Sequence, residues 1–426
     1  MKPISIFGFP LGITATFWLL VGIIRRLTEG HQPDKKRRGR KRYKPQDVAA
    51  IVPAHNEELV IRKCVKALKQ SLDKDQIYVV SDGSTDKTYT RARMEGRHAS
   101  NLTPGRGKAK ALTYAIKRYK LYRQYKLILI VDADTQIDEK FISRSLNMFN
   151  KDKSIGVVFG SPRIRWPQHI IPSLEYFFLA YRERLVRMVQ YFYLYGQTWK
   201  HANTSYVIPG FATMYRVDVL EKLSIDTPGL LIEDFSLAFQ FQKKKLGIIG
   251  YHPSIIGWDQ YPDNLRDYWS QVRRWNIGFF QTVKRFGVWP SFFSLSLGAF
   301  EIEVLIYSVF IILMPFLLLF LLSLSLGQTI PLLGNYAVLY QRLGLYTNIS
   351  FGYIFAIIYG LDYLLTVAIG VIERKPQFLF YGLFFYFMHY VTALILLTSL
   401  IPGLFKSSSG RWDSPTRSSQ QLGTSV

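Results

Sequence analysis

The chain has 426 residues, 49% of them hydrophobic, and a formal net charge of +24. That length accommodates one large globular domain plus several membrane spans. The charge suits anionic lipid and phosphate-bearing substrates, no nucleic-acid-binding motif is present, and a single cysteine, Cys64, excludes an internal disulfide and a cysteine-rich zinc site.

Residues 6–24 form an uncharged apolar run that meets Arg25 and Arg26. A cleaved leader carries its basic residues first, so this order predicts a retained transmembrane helix with its C-terminal end on the cytoplasmic side. The run KKRRGRKRYK at 35–44 predicts a juxtamembrane clamp on anionic headgroups. From residue 48, short apolar strands (48–52, 77–81, 127–131, 156–160) alternate with amphipathic helices (57–70, 85–95, 108–118). Cys64 falls in the helical pattern Leu59, Cys64, Val65, Leu68 and reads as packing. Such alternation predicts an α/β domain with a mainly parallel sheet covered on both faces, and ligands bind such sheets outside the carboxyl ends of the strands.

Further on, residues 268–286 carry Val272, Phe279, Val283 and Phe286 at helical spacing beside Arg273, Arg274, Lys284 and Arg285. This predicts an interfacial helix, although packing on the globular domain explains the stripe as well. Apolar runs at 304–322, 349–372 and 378–400 match the roughly 20 residues that cross a bilayer. Asp362 interrupts the second. The Ser-rich tail reads as mobile. The expected divisions are an N-terminal transmembrane helix (1–30), a basic linker (31–47), the cytoplasmic α/β domain (48–260), interfacial helices (261–300), C-terminal transmembrane helices (301–403) and the tail (404–426). One span before the domain and three after it put the tail outside; a re-entrant segment puts it inside.

Every candidate site residue falls where a strand ends. Pro53-Ala54-His55-Asn56-Glu57-Glu58 follows the first strand and alone is a helix start. Ser81-Asp82-Gly83-Ser84-Thr85-Asp86 is by itself a turn with a helix cap. Asp132-Ala133-Asp134 follows the third strand, and carboxylates two apart there can offer oxygens to a hard cation. Mg²⁺ typically takes one or two carboxylates plus substrate phosphates and water. GRGK at 105–108 lacks the spacing and the hydroxyl of a P-loop.

Order and spacing add specificity. VPAHNEE (52–58), SDGSTD (81–86), GKAKAL (107–112), DAD (132–134), IED (232–234) and QVRRW (271–275) occur in succession. In this the chain resembles the family-2 inverting glycosyltransferases, and among them the processive membrane branch that includes synthases of poly-N-acetylglucosamine, chitin oligosaccharides, hyaluronan and cellulose. The resemblance covers residues 48–285 in motif detail. It implies a GT-A-like nucleotide-sugar domain with interfacial and transmembrane helices, in the cell membrane, with the domain in the cytoplasm.

The resemblance also implies roles. Asp82 binds the uracil edge of a UDP-sugar and Glu57 lies near the ribose, with Pro53, Ala54 and Ala133 also on the donor side. Lys108 meets the base or diphosphate. Asp132 and Asp134 hold the nucleotide and, through Asp134, Mg²⁺ or Mn²⁺. Asp234, beside Glu233, is the general base. Gln271, Arg274 and Trp275 frame the growing glycan and the diphosphate, and Gly210 lets the sugar approach. Residues 160–165 and Arg411-Trp412 lean toward the poly-N-acetylglucosamine synthases and so toward UDP-N-acetylglucosamine. Membrane lipids are further expected partners, an auxiliary export subunit stays open, and nucleic acid is not expected. Departures are Ser81 for a common aspartate, Ile232 for threonine, Thr113 for asparagine, and a single N-terminal span. Two alternatives stand beside the polymerase: transfer of one sugar to a lipid carrier, and a non-catalytic membrane protein on a degenerate nucleotide-sugar fold.

Overall fold

The computed structural model describes residues 12–29, 42–164, 166, 173–326, 330–342 and 349–406. The headgroup clamp as far as residue 41, Arg165, and the tail with Arg411 and Trp412 lie outside the described residues. Within these limits the chain divides into two compact units, one from Ala15–Leu297 with Leu400–Val426 and one from Met1–Thr14 with Gly298–Ser399.

The first unit is built on an eight-stranded sheet. Its strands are β1 (Val48–Ala54), β2 (Ile77–Asp82), β3 (His98–Leu102), β4 (Leu127–Val131), β5 (Gln136–Ile137), β6 (Ile155–Ile164), β7 (Ala212–Arg216) and β8 (Ile248–Asp259). Their spatial order is β3-β2-β1-β4-β7-β6-β8-β5. The first four pair in parallel. β7 runs antiparallel between β4 and β6, β8 lies parallel to β6, and β5 is antiparallel to β8. The sheet is therefore mixed, with the expected parallel part at β1–β4. After β1 the chain adds strands on one side and then returns to the other with β4. That reversal opens a crevice at the carboxyl ends of β1 and β4.

Side-chain alternation explains why the central strands are apolar throughout. Val48, Ala50 and Val52 of β1 face the helices Ile61–Lys69 and Phe141–Lys151, joining Cys64, Leu68, Phe141 and Phe149 in one core. Ala49 and Ile51 face the helices Lys108–Arg118 and Glu233–Lys243, joining Leu112, Ile116, Leu237 and Phe241 in another. Two helices begin later than the sequence pattern, at Ile61 rather than 57 and at Thr88 rather than 85. The preceding residues tie loop to loop instead: Glu57 N–H donates to Thr88 Oγ1 at 2.7 Å, Asn56 N–H to Ser84 Oγ at 3.1 Å, and Thr85 N–H to Asn56 Oδ1 at 2.8 Å.

The N-terminal helix spans Ile13–Glu29. Ile13, Phe17, Leu20, Ile24 and Leu27 are exposed along one face, while Trp18 is buried on the other. Arg25 departs from the expected basic flank, for it is only 6% exposed. Its guanidinium donates to Tyr195 O (2.8 Å), Thr198 Oγ1 (3.1 Å) and Tyr251 O (3.2 Å), pairs with Glu29 (3.0 Å), and lies 4.4 Å from the Tyr195 ring centre. Glu29 in turn accepts from Trp199 Nε1 at 3.0 Å. Arg25 is thus a bolt between this helix and the sheet domain.

Beyond the sheet domain come the helices Phe292–Leu326, Pro331–Arg342, Ile349–Ile372, Gln377–Gly382 and Phe385–Phe405. Among the described residues, Phe292–Leu324 and Phe385–Phe405 are long and apolar enough to cross a membrane, by length and composition. The expected run at 378–400 is therefore split, its long helix starting at Phe385. Asp362 meets His389 of the last helix at 3.2 Å. Buried Glu303 accepts from Thr14 N–H at 2.9 Å and from Thr14 Oγ1 at 2.5 Å.

Replacing Arg25 with Met strands the acceptors it satisfies, and is expected to weaken docking of the N-terminal helix by about 3 kcal/mol. Hydrogen exchange of the 13–29 amides in detergent checks this: faster exchange there, with the β1–β4 amides unchanged, is the expected outcome.

Candidate active site

The crevice at the strand ends gathers residues from widely separated stretches. Asp82 closes β2 and is 2% exposed. Its Oδ1 accepts from Arg106 N–H at 2.8 Å and its Oδ2 from Gly107 N–H at 2.7 Å. The carboxylate therefore holds the loop that leads into Lys108, the first residue of its helix. Each oxygen keeps a second lone pair, so this clamp is compatible with a further contact to a ligand.

Lys108 Nζ lies 2.9 Å from Asp132 Oδ1 and 2.9 Å from Glu233 Oε1. Asp132 follows β4 directly, with its N–H donating to Phe211 O at 2.9 Å. Because β7 is antiparallel to β4, with Ala212 opposite Val131, its start and Gly210 arrive at the same edge. Gly210 N–H donates to Asp234 Oδ2 at 3.0 Å. A Cβ at Gly210 would lie 2.5 Å from Asp234 Oδ1 and 2.7 Å from Lys108 Nζ, so only glycine leaves both groups in place. Glu233 and Asp234 open the helix Glu233–Lys243, whose N-terminal end favours negative charge.

The electrostatics follow from burial and crowding. Burial opposes the charge on Lys108, but Asp132, Glu233 and Asp234 outweigh it and hold its pKa well above the usual lysine value. Burial also acts against Glu233, yet Lys108, with lesser help from Arg274, keeps that carboxyl below its ordinary range. Asp234 is pushed up to about 7, first by burial and then by Glu233, with Lys108 only partly offsetting them. Asp132 is raised by burial and by Asp134, despite Lys108. Asp234 Oδ1 is buried and accepts no hydrogen bond from the protein among the described residues. Cys64 lies behind Asp132, its Sγ 3.6 Å from Asp132 O, with its thiol pushed up by burial and by Asp134.

The QVRRW stretch sits on the helix Leu265–Phe286, capped by the Asn264 side chain. This helix is packed onto the one that carries Asp234: Phe279 meets Phe235 and Phe239 with ring centres 5.3 and 6.4 Å apart, and Phe286 meets Phe239 at 6.1 Å. Val272 and Phe279 are buried, so the stripe seals against the domain at these positions. Ile232 packs on Gly278, where a Cβ would come within 2.9 Å of it. The aliphatic residue that replaces a hydroxyl before Glu233-Asp234 thus fits a close helix approach. Gln281 Oε1 accepts from Leu231 N–H at 3.0 Å, joining the same two segments. Gln271 Oε1 is buried with no protein donor among the described residues.

A family described as "Glycosyltransferase like family 2" matches residues 45–278, more than half of the chain. The chain belongs to this family. Among curated relatives, a poly-beta-1,6-N-acetyl-D-glucosamine synthase of Staphylococcus epidermidis is 23% identical over 254 residues, which is 58% of this chain and 57% of that protein. The corresponding synthase of Staphylococcus aureus (strain COL) is 24% identical over 255 residues, 56% of this chain and 58% of that protein. The matched part thus spans less than two thirds of either relative. Among solved structures, the mannosyltransferase PcManGT from Pyrobaculum calidifontis, in complex with GDP-Man and Mn2+, covers 92% of this chain and 96% of its own at 16% identity and a TM-score of 0.53. That likeness shows the fold, a GT-A-like sheet domain joined to apolar helices.

In this family-2 glycosyltransferase, Lys108, Asp132, Gly210, Glu233 and Asp234 come together directly. Asp134 and Arg274 act on that group electrostatically. Pro53 and Ala54 finish β1, Ala133 is buried between Asp132 and Asp134, and Glu57 is 4% exposed at the same sheet edge. Trp275 is half-buried, and its ring centre lies 4.9 Å from the guanidinium carbon of Arg182, a residue that no motif marks. The only outward sign of Arg182 is the charged Arg-Glu-Arg set within the aromatic helix Leu174–Val189. Among the described residues no three His, Cys, Asp or Glu side chains could hold a metal by themselves. Asp132 and Asp134 are two crowded carboxylates, which fits a divalent ion that takes its other ligands from phosphate and water.

Because the atoms displaced by a side chain at Gly210 are the Asp234 carboxylate and the Lys108 ammonium, Gly210→Ala is expected to melt within about 3 °C of the parent, since both groups end flexible side chains. Turnover is expected to fall by at least ~10-fold, or about 1.4 kcal/mol in barrier. Thermal unfolding alongside nucleotide release checks both halves.

Proposed function

We propose that this chain is an inverting, metal-dependent glycosyltransferase that extends a β-linked, N-acetylglucosamine-containing glycan from a UDP-sugar at the cytoplasmic face of a membrane. The observation that carries this reading is the convergence of Lys108, Asp132, Gly210, Glu233 and Asp234 at the strand ends, beside the helix that bears Gln271, Arg274 and Trp275. The matches to poly-N-acetylglucosamine synthases support the choice of sugar. The two long apolar helices support a membrane setting, with export of the chain and an auxiliary subunit as extensions of the same reading.

Displacement at an anomeric carbon needs a strengthened nucleophile and an eased leaving group. Asp234 Oδ1, buried and without a protein donor, accepts the proton of the acceptor hydroxyl. The hydroxyl oxygen bonds to the anomeric carbon as the bond to the diphosphate breaks, and that electron pair leaves with the nucleoside diphosphate. One base and one direct attack invert the configuration. Glu233 and Asp132 hold the Lys108 ammonium where the diphosphate charge develops, and Arg274 adds a second cation. Mg²⁺ or Mn²⁺ on Asp134, when bound, supplies Lewis-acid stabilisation of the same leaving group. Asp82 keeps the Lys108 loop in register while the nucleobase lies near it and Glu57. Trp275 offers an indole face to the acceptor sugar.

Incubation of the purified chain in lipid nanodiscs with radiolabelled UDP-N-acetylglucosamine and Mg²⁺ tests the reading. Long products cut by a β-N-acetylglucosaminidase are expected; products one sugar longer than a lipid acceptor would replace polymerisation with single transfer. Asp234→Asn is expected to lower transfer by ~10²–10⁴ and leave donor affinity within about threefold. A base raised to about 7 works only when ionised. Hence kcat/KM is expected to fall about tenfold per pH unit below neutrality, and a flat profile from about pH 5.5 to 8 contradicts the assignment.

A further inference from the structure

Arg182 is 4% exposed, yet among the described residues it forms no ion pair. Its guanidinium is instead surrounded by rings, lying 4.9 Å from the centre of Trp275, 5.0 Å from Tyr261 and 5.8 Å from Tyr268. Its Nε is buried without a hydrogen-bond partner. A buried charge without an ion pair is stabilised here by ring quadrupoles, and such contacts grow stronger once desolvated. A planar guanidinium can lie against several faces at once, which an ammonium cannot.

The placement of those rings has a consequence. Tyr268 and Trp275 are seven residues apart on the helix Leu265–Phe286, two turns, and so share one face. Gln271 lies between them on that face. Tyr261 precedes the helix and closes the cluster from the loop after β8. Arg182 therefore reaches from a different helix, Leu174–Val189, and presses on the face that carries Gln271 and Trp275. Tyr181, next to it, meets Tyr268 edge-on at 5.9 Å, so the two helices are joined at more than one point. Trp275 is half-buried, with one side engaged by Arg182.

We propose that Arg182 is a positioning residue for acceptor recognition. It fixes the plane of the Trp275 indole by cation–π stacking, so that the indole presents a set face to a pyranose ring of the acceptor. Arg182 touches neither donor nor reacting atoms. This rests on the glycosyltransferase reading for its consequence in turnover, but the Arg182–Trp275 coupling can be measured without any substrate.

The test uses the full chain in nanodiscs, labelled with 5-fluorotryptophan, with the Trp275 ¹⁹F resonance assigned by its loss in Trp275→Phe. Arg182→Met and Arg182→Lys are both expected to shift or broaden that resonance and to leave those of Trp18 and Trp289 in place. In turnover, each is expected to raise KM for a β-linked N-acetylglucosamine oligosaccharide about tenfold, with KM for UDP-N-acetylglucosamine unchanged, and to add nothing in a Trp275→Ala background. If Arg182→Met does not fold, Arg182→Lys carries the test. An unmoved Trp275 resonance in a folded Arg182 variant, or additive losses with Trp275→Ala, overturns the proposal. A shifted resonance together with a parent chain inert toward every UDP-sugar upholds the coupling and rejects the glycosyltransferase reading instead.

Discussion

The candidate site is organised around one partly buried ammonium. Lys108 sits between Asp132 and Glu233 at 2.9 Å from each, with Asp234 a further carboxylate beside it. Three acids crowded together and partly withdrawn from water cannot all stay ionised without such a cation. Glu233 is held below its ordinary range by Lys108, whereas Asp132, at the same 2.9 Å, and Asp234, at about 7, are raised by burial and by neighbouring carboxylates. Two adjacent residues of one helix turn thus shift in opposite directions within a single cluster of acids around one lysine.

That lysine is placed by the fold at some remove from the chemistry. The Asp82 carboxylate holds the amides of Arg106 and Gly107, which sets where the next helix begins. The antiparallel insertion of β7 beside β4 brings Gly210 to the same edge, and its lack of a side chain leaves room for the Asp234 carboxylate and the Lys108 ammonium on either side of it. The Phe235, Phe239 and Phe279 contacts hold the QVRRW helix against the helix of Asp234. Gln271, Trp275 and Asp234 are consequently carried on two helices packed against each other.

Much of this was legible beforehand, for identifiable reasons. β1, β2 and β4 are covered on both faces and so read as unbroken apolar runs. β3, with the sequence HASNL on the sheet edge, is half-exposed and carries no such signal. β8 contains Pro253, which argues against a strand; the proline falls where pairing with β6 breaks, between Tyr251 and Ile256. Motif order marked Lys108, Asp132 and Asp234, but not that one ammonium would bridge two of the acids. Arg25 and Arg182 were opaque. An arginine after an apolar run looks the same whether it meets headgroups or is buried on Tyr195, and an arginine in an aromatic helix gives no sign of which rings will enclose it. Both depend on tertiary contacts that periodicity does not encode.

In the proposed mechanism, acids from separate stretches form one centre for a nucleotide diphosphate and a divalent ion. Electron paramagnetic resonance of Mn²⁺, titrated into the purified chain with and without UDP, tests it most directly. The expected result is Mn²⁺ binding that requires UDP, broadens the ³¹P resonances of the nucleotide, and disappears in Asp134→Asn. Mn²⁺ bound equally well without UDP, or unaffected by loss of the Asp134 carboxylate, would contradict it.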